Sequence, residues 1–345
     1  MGFLATSLMT GLAAGPVAPA AEPAGSEVLD LLQISAAEGR RLVSGEIVSY
    51  PVSEFSEREL AVGLAMFVPG PVSRVAEYLS SGQVIARDTT ISEFGIVPEP
   101  TGTEPLPGTP LVKGDRDEAG SLLDASPGTR FNLSTAEIAT LRALRDTTGS
   151  MSQAGTAERV WDVYRGLLRQ RLQAYQQGGL AALAPYTRSG GAITDPATEL
   201  RLAIADVDRA GRDGPELHDT LLRYPAAQSP RLLHRFYWLK RQVQRRPDLS
   251  LLHQIIAAGS GPTVHVERYF YVGHSYNAAQ IITGALAYQH GAVVFCTSRF
   301  STDEVLGVGN QLKRSIGRTQ LRDEMRKRLE GIRAFLTRPP STESP

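Results

Sequence analysis

The last third of the chain, from about residue 235 to residue 335, constrains the fold most. It contains consecutive runs of apolar, β-branched and aromatic residues, such as TVHVERYFYV (263–272) and AVVFCTSRF (292–300), followed by a long basic segment with helical spacing. Runs of this composition are typical of buried strands. Several strands followed by one terminal helix indicate a sheet that wraps around, or is covered by, that helix.

Composition indicates an ordinary soluble globular protein. The 345 residues are 42% hydrophobic and 21% charged, which is enough to bury a sizeable core. The formal net charge is zero, so no overall field favours nucleic acid as a partner. The single cysteine, Cys296, excludes an intramolecular disulfide, and its place in an apolar run predicts a buried thiol.

The first 25 residues resemble an export signal or a disordered leader. Residues 3–20 are mostly small and apolar, and Ala18, Pro19 and Ala20 have the small-x-small form of a cleavage site. No Lys or Arg precedes the apolar run, and glycine and proline interrupt it. The pattern predicts a periplasmic or secreted protein, or a cytoplasmic one if the segment is only a leader.

Residues 26–338 are predicted to form one domain, followed by a disordered tail at 339–345. Its early part contains predicted strands at 47–52, 60–68 and 90–97, and a helix at 72–81. Two further segments are distinguished by composition. These are a flexible loop at 98–120, rich in Pro, Gly and charge, and a helical insertion at 134–224, which begins with a capping box of Ser134 and Glu137.

The C-terminal helix is predicted to begin near Thr302, where Ser301 and Glu304 form a second capping box. Two apolar stripes follow on roughly opposite faces of the helix. They are Val305, Val308, Leu312 and Ile316 on one face, and Leu321, Met325, Leu329, Ile332 and Leu336 on the other. One straight helix cannot bury both stripes against a single surface. Either the helix breaks near Gly317, or its halves pack on different partners.

The second half of this helix is strongly basic. Either these basic residues form a solvent-exposed face of the helix, or they contact anionic lipid headgroups, which basic amphipathic helices bind. The residues concerned are Arg322, Arg326, Lys327 and Arg328.

A hydrolase hypothesis starts from Gly273-His274-Ser275-Tyr276-Asn277. This segment resembles the G-x-S-x-G nucleophile elbow of the α/β-hydrolases, in which a strand, the turn and a helix follow one another. Here Asn277 replaces the last glycine, and a helix that ends at about His290 is predicted to follow the turn. The only histidine after Ser275 is His290, at the end of that helix, so a triad is disfavoured.

A metal-site hypothesis starts from one predicted strand. His265, Glu267, Tyr269 and Tyr271 share a face by two-residue alternation, and His253 is predicted to lie opposite His265. Two histidines and a carboxylate match a zinc or iron ligand set, but no second histidine motif accompanies them. Structural roles are favoured, with no metal and no cofactor; the sequence contains no dinucleotide-binding or Walker motif.

The order of elements over residues 45–335 resembles the START-like, or SRPBCC, helix-grip superfamily. That resemblance implies an α+β fold, with a curved antiparallel sheet packed on a long C-terminal helix and, here, a helical insertion. The segments YVGHSYNAAQ (271–280) and SRFSTDEVLGVGNQLKR (298–314) also resemble a group of uncharacterised exported bacterial proteins. Gly273 and Ser298 depart from that group's pattern, and no activity follows from it.

The helix-grip resemblance implies an apolar cavity that binds a lipid-like hydrophobic molecule. The candidate ligand-binding residues are His253, His265, Tyr269, Tyr271, His274 and Arg299. Arg299 and Asp303 are expected to flank the helix start and to form an ion pair there.

Binding without catalysis is favoured among three hypotheses. The alternative is an enzyme, either a hydrolase with Ser275 as nucleophile or a lyase or cyclase with His274 as acid or base and Tyr271 as proton donor. The third is an interaction protein that docks a partner through its C-terminal helix.

Overall fold

The computed structural model describes residues 25–97, 113–148, 152–205, 207, 214–257 and 263–337. The predicted leader up to residue 24 and the predicted tail at 339–345 lie outside these ranges. The helices are α1 (Gly25–Leu31), α2 (Ala36–Val43), α3 (Val72–Ser80), α4 (Gln83–Ala86), α5 (Lys113–Leu123), α6 (Thr135–Thr148), α7 (Gln153–Gly178), α8 (Pro196–Leu202), α9 (Gly214–Arg223) and α10 (Asn310–Leu336).

One large antiparallel sheet organises the molecule, with the order β1-β2-β10-β9-β8-β7-β6-β3. It is curved and open, so β1 and β3 are its two edges. Its strands are β1 (Ile47–Tyr50), β2 (Glu59–Pro69), β3 (Ile91–Val97), β6 (Leu232–Val243), β7 (Arg246–Ala257), β8 (Thr263–Val272), β9 (Ala278–Tyr288) and β10 (Gly291–Ser301). The strands β4 (Tyr186–Thr187) and β5 (Ile193–Thr194) form a separate two-stranded hairpin.

Helices cover both faces of this sheet. The α10 face, so named here for its main helix, is covered by α3 and α10, where Leu64, Leu252 and Cys296 pack with Leu321 and Met325. The opposite face is covered by α1, α2 and the helices from α5 to α9. Central strands are therefore buried on both sides, which explains why their sequences are apolar almost throughout.

The predicted fold class is confirmed. The structure is an α+β fold with a curved antiparallel sheet, a long C-terminal helix and helical insertions. The early strands β2 and β3 and helix α3 form close to their predicted positions. The Ser134 capping box is also present: the Ser134 N–H donates to Glu137 Oε2 at 2.7 Å, and the Glu137 N–H donates to Ser134 Oγ at 3.3 Å.

Two predicted elements are wrong. The segment after Asn277 is strand β9 instead of a helix, because a strand buried on both faces loses the alternation that would identify it. Within the predicted loop 98–120, residues 98–112 lie outside the described ranges, but residues 113–120 belong to helix α5. The charges that suggested a solvated loop are paired in the interior: Asp115 Oδ2 lies 2.9 Å from Lys240 Nζ, and Glu118 Oε1 lies 2.8 Å from Arg246 Nη2.

The C-terminal helix begins later than predicted and does not break. Ser301 ends β10, and Thr302 caps only a short 3-10 turn; α10 starts at Asn310, after Gly309 with a φ of 73°. The helix continues through Gly317, where a Cβ would lie 2.6 Å from Leu60 Cδ1, so the glycine allows close packing on β2. No described helix is long and apolar enough to cross a membrane.

The two apolar stripes have different surroundings. The second is buried against the sheet; its members are Leu321, Met325, Leu329, Ile332 and Leu336. In the first stripe Val305 is buried, whereas Val308, Leu312 and Ile316 are 98%, 67% and 50% exposed. The first half of α10 therefore presents an apolar row that nothing in the described part of the chain covers.

Candidate functional site

A β-bulge in β8 separates the residues that were predicted to share one face. Leu251 pairs with Tyr271 and Leu252 with Tyr269, so Phe270 is the extra residue. The bulge places Tyr271 on the opposite face from Tyr269, and the prediction of a common face for these two is wrong.

His253 also lies away from His265. Its cross-strand neighbour is Arg268, while His265 is opposite Ile256. His253 therefore faces the helices of the opposite face, whereas His265 faces α10. No group of three or more metal-ligating side chains occurs among the described residues.

On the α10 face, the polar residues of β8 form a buried cluster with α10. The Arg328 guanidinium binds the Glu267 carboxylate through two hydrogen bonds, of which Nη1 to Oε2 is 3.0 Å. Arg241 Nη2 donates to the Tyr269 hydroxyl at 2.8 Å. Burial alone would raise the pKa of Glu267, but the Arg328 charge holds it below its usual value.

His265 is the least satisfied member of this cluster. It is fully buried, and neither ring nitrogen makes a hydrogen bond to a described residue, although Nδ1 lies 3.6 Å from Glu267 Oε1. Burial lowers the pKa of His265 to about 4, against the opposing effect of the Glu267 charge. The imidazole is therefore neutral at physiological pH, and its position is inside the protein core.

The opposite face contains a chain of three hydrogen-bonded aromatic side chains. Tyr175 Oη lies 3.0 Å from His253 Nδ1, and His253 Nε2 lies 2.9 Å from His234 Nδ1. Burial lowers the pKa of both histidines, that of His253 well below its usual value. Phe236 stacks on His253 at a ring separation of 4.4 Å, so the chain is packed into the core.

Arg268 is next to this chain and is fully buried. Its guanidinium donates to Gln280 Oε1 at 3.0 and 3.1 Å and to the Leu221 carbonyl at 2.7 Å. No carboxylate in the described ranges pairs with it. The positive charge of Arg268 is therefore stabilised only by hydrogen bonds to neutral oxygen atoms.

Tyr271 lies in a hydroxyl pair with Tyr164, at an oxygen separation of 2.8 Å. Burial raises the pKa of Tyr271 well above its usual value, and the Arg171 guanidinium lies 4.6 Å from the centre of its ring. The phenol is thus a buried neutral group in the core.

The GHSYN segment is a turn between β8 and β9 that Asp248 holds. The Asp248 carboxylate accepts hydrogen bonds from the backbone N–H groups of Gly273, His274 and Ser275, at 2.8 to 3.3 Å. It also accepts a short hydrogen bond from the Ser275 hydroxyl. The Ser275 hydroxyl is therefore bound to a carboxylate acceptor, and a strand follows the turn where an elbow would have a helix.

The expected ion pair between Arg299 and Asp303 is wrong. Arg299 pairs with Glu59 at 2.8 Å, because both side chains project from paired strands on the same face. Asp303 instead accepts from Arg58 and Arg188, each at 2.7 Å.

Arg188 organises a buried junction that sequence reasoning missed. Its Nη2 donates to Asn132 Oδ1 at 2.7 Å and to Asn277 Oδ1 at 2.9 Å, which joins the insertion to the β8–β9 turn. In the sequence, the only indication of this junction is that Asn277 stands where the elbow pattern has a glycine.

A pocket lies at the edge of the sheet, beyond the end of β1. It has a volume of about 320 Å3 and is lined by Ser49, Tyr50, Val52, Glu54, Ala61, Val62, Gly63, Arg318 and Arg322. We call it the β1–α10 pocket. Strand β1 ends at Tyr50, which pairs with Gly63. The first residues of β2, before Gly63, therefore have no β1 neighbour on this side, next to α10. A Cβ at Gly63 would lie 2.4 Å from Tyr50 Cε2, so a larger residue at this position would displace the Tyr50 ring.

The charged groups of the pocket are unequally paired. Arg318 makes two hydrogen bonds to Glu54, Nε to Oε1 at 2.8 Å and Nη2 to Oε2 at 2.6 Å. Burial would raise the pKa of Glu54, but its arginine partners lower it. Arg322 is exposed and has no carboxylate partner in the described ranges. The pocket therefore combines apolar and polar walls with one available guanidinium.

The basic residues of the second half of α10 are only partly accessible. Arg322 and Lys327 are exposed, and Arg326 is half-buried. Arg328 is engaged with Glu267 under the helix and is not available to lipid headgroups.

No family model, no curated protein and no solved structure matches the chain. Its class is therefore defined by the structure. It is an α+β protein with a large antiparallel sheet and a C-terminal helix, an arrangement compatible with the helix grip.

Proposed function

We propose that this is a START-like protein that binds a small hydrophobic molecule in the β1–α10 pocket. The observation that supports this most is the pocket itself, a concave space between the sheet edge and the long helix. Its 320 Å3 falls at the lower end of the range for small-molecule sites, which is roughly 300 to 1,000 Å3.

The chemistry of the pocket walls supports an amphipathic ligand. Val52, Ala61, Val62 and the Tyr50 ring provide apolar surface, which would cover the hydrophobic part of the molecule. Arg322 would contact a polar or anionic end near the solvent. Polar groups at defined positions in a binding site are the usual means of fixing ligand orientation.

The polar residues that were predicted to bind the ligand have other surroundings. His265 and Tyr269 lie beneath α10, and His253 and Tyr271 lie on the opposite face of the sheet. None of these four lines the β1–α10 pocket. The proposal therefore assigns the ligand to the sheet edge instead of the middle of the sheet.

Native mass spectrometry of protein purified from its own host tests for a retained ligand. Anilinonaphthalene sulfonate, which has an apolar ring system and one negative charge, is a suitable probe for titration. The Ser49→Trp variant should block the pocket, because Ser49 lines it and is exposed, so the larger side chain does not disturb the core. Arg322→Gln should weaken probe binding about fivefold, as expected for one exposed ion pair.

Lys327→Gln is the matched control, since Lys327 is an exposed cation of the same helix that does not line the pocket. It should bind the probe as the wild type does. A clean apo mass together with probe binding that Ser49→Trp leaves unchanged would refute the proposal.

A further inference from the structure

An exposed apolar row marks the start of the last helix. Leu312 and Ile316 are four residues apart and therefore lie on one side of α10, and Val308 lies in the turn just before the helix. Val308, Leu312 and Ile316 are 98%, 67% and 50% exposed. We call them the α10 ridge. Large apolar side chains that are exposed singly are common, whereas neighbouring ones that form a patch are typical of interaction surfaces.

The ridge projects from the molecule. Val308 stands between Gly307 and Gly309, both with positive φ values, of 77° and 73°. A Cβ added at either glycine would have no neighbour within 4 Å, so the space around this turn is open. Val308 is therefore the tip of a convex feature, which is suited to insertion into a soft surface more than to a flat protein contact.

Two exposed cations without a described carboxylate partner, Lys313 and Arg322, lie on the same stretch of chain as the ridge. From residue 305 to residue 322 the sequence has four basic residues and no acidic one; they are Lys313, Arg314, Arg318 and Arg322. Glu54 contacts Arg314 and Arg318. Lys313 donates to the Leu306 carbonyl at 3.0 Å and keeps its charge exposed, as does Arg322. Glu304 and Asp323, both exposed, lie just outside the two ends of this segment.

We propose that the α10 ridge docks the protein on an anionic lipid bilayer. Val308, Leu312 and Ile316 enter the boundary between headgroups and acyl chains, while Lys313 and Arg322 contact lipid phosphates. Apolar insertion combined with basic flanks is the general mode of interfacial helices. This surface replaces the one expected in the second half of the helix, where Arg328 is paired with Glu267. The proposal does not depend on a ligand in the β1–α10 pocket.

A second copy of the chain is a poorer occupant. A stable protein interface buries about 800 Å2 on each partner. Three side chains on a projecting turn supply far less, and the neighbouring Lys313 and Arg322 would meet like charges in a symmetric contact.

Vesicle flotation tests the proposal with full-length protein. Phosphatidylcholine vesicles that contain phosphatidylglycerol should carry the wild type upward, and pure phosphatidylcholine vesicles should carry much less. The double variant Leu312→Gln, Ile316→Gln should lower the partition coefficient at least roughly tenfold, because both inserted side chains become polar. Lys313→Glu should lower it on anionic vesicles only.

Ile96→Gln is the matched control. Ile96 is 63% exposed, like the ridge residues, but lies on β3 at the far edge of the sheet from β2, which α10 contacts. Its partition coefficient should stay within about twofold of the wild type. Since the substituted ridge residues are exposed, thermal unfolding should be unchanged in every variant, and circular dichroism checks this.

Val308→Trp supplies a second readout. Its fluorescence should shift to the blue and be quenched by brominated lipids when anionic vesicles are added, beyond any change in the wild type. The proposal is overturned if the wild type does not float with anionic vesicles, or if the double variant floats equally well. It is also overturned if sedimentation velocity shows a dimer that the double variant abolishes while vesicle binding persists unchanged.

Discussion

Arg328 of α10 and Glu267 of β8 form a buried ion pair that fastens the last helix to the middle of the sheet. Nη1 lies 3.0 Å from Oε2, and a second, shorter hydrogen bond joins Nη2 to Oε1. The two residues are 61 positions apart in the sequence. Because Glu267 is 1% exposed and Arg328 only 14% exposed, the carboxylate depends on the guanidinium for most of its stabilisation.

Replacing one partner of this ion pair should therefore lower the free energy of unfolding more than replacing both partners. Arg328→Met should lower the free energy of unfolding by about 3 to 5 kcal/mol, because Glu267 is left buried without its hydrogen-bonded cation. The double variant Arg328→Met, Glu267→Leu should recover most of that loss. Urea unfolding measures all three proteins, with Lys327→Met as an exposed control on the same helix. A single-variant loss below about 1 kcal/mol would show that water already reaches Glu267.

The neutral His265 should make stability depend on pH in a defined window. Its pKa is lowered from 6.5 to about 4 by burial, in the field of Glu267, Arg328 and Arg235. Between these values the unfolded chain binds a proton that the folded chain does not. The stabilisation is therefore complete above 6.5 and decreases as the pH falls toward 4.

Denaturation midpoints measured across this window should show the effect. Replacing His265 with Gln should remove roughly 3 kcal/mol of the acid-dependent loss, since one pKa unit corresponds to about 1.4 kcal/mol. His290→Gln changes an exposed histidine and should leave the slope intact. Identical slopes for wild type and His265→Gln would mean that the imidazole protonates without penalty in the fold.

The sequence predicted the backbone framework better than the contacts within it. β2, β3, α3 and the start of α6 follow from local signals, such as apolar runs, Pro-Gly boundaries and a capping box. Strand β9 was missed because both of its faces are covered, which removes the alternation that identifies a strand.

The candidate site was less predictable for two physical reasons. A one-residue bulge at Phe270 reverses the facing of Tyr271, and no local signal in the strand marks the bulge. Ion pairs such as Arg328 with Glu267 join distant parts of the chain. The sequence shows which residues are charged, but it does not show which of them pair. The β1–α10 pocket depends on where β1 ends, and element ends are the least predictable feature of a sequence.

The turn at residues 273–275 should depend on Asp248. Asp248→Ala removes one acceptor that satisfies three backbone N–H groups and the Ser275 hydroxyl, so we expect a loss of about 2 to 4 kcal/mol. Ser275→Ala removes only the hydroxyl and should cost about 1 kcal/mol. Hydrogen exchange at Gly273, His274 and Ser275 should accelerate strongly in the first variant and weakly in the second. Equal acceleration in both would show that the hydroxyl, and not the carboxylate, holds the turn.

Two glycine-to-alanine changes should have opposite signs. A Cβ at Gly284 in β9 would lie 2.3 Å from Cζ of Phe295, its cross-strand neighbour in β10. Gly284→Ala should therefore destabilise the protein by about 1 to 3 kcal/mol through overpacking. Gly331 lies inside α10, five residues before its end, and a Cβ there would meet nothing within 4 Å. Gly331→Ala should stabilise by roughly 0.5 to 1 kcal/mol, because alanine favours the helix.

Phe295→Leu completes a double-mutant cycle with Gly284→Ala. The smaller side chain vacates the position that the new methyl group needs, so the double variant should lose less than the sum of the two single losses. Thermal and urea unfolding of the four proteins in the cycle give the coupling free energy, expected at about 1 kcal/mol. Strict additivity would mean that β9 moves away from the Phe295 ring instead of pressing on it, and the close Gly284 contact would then not limit the residue at that position.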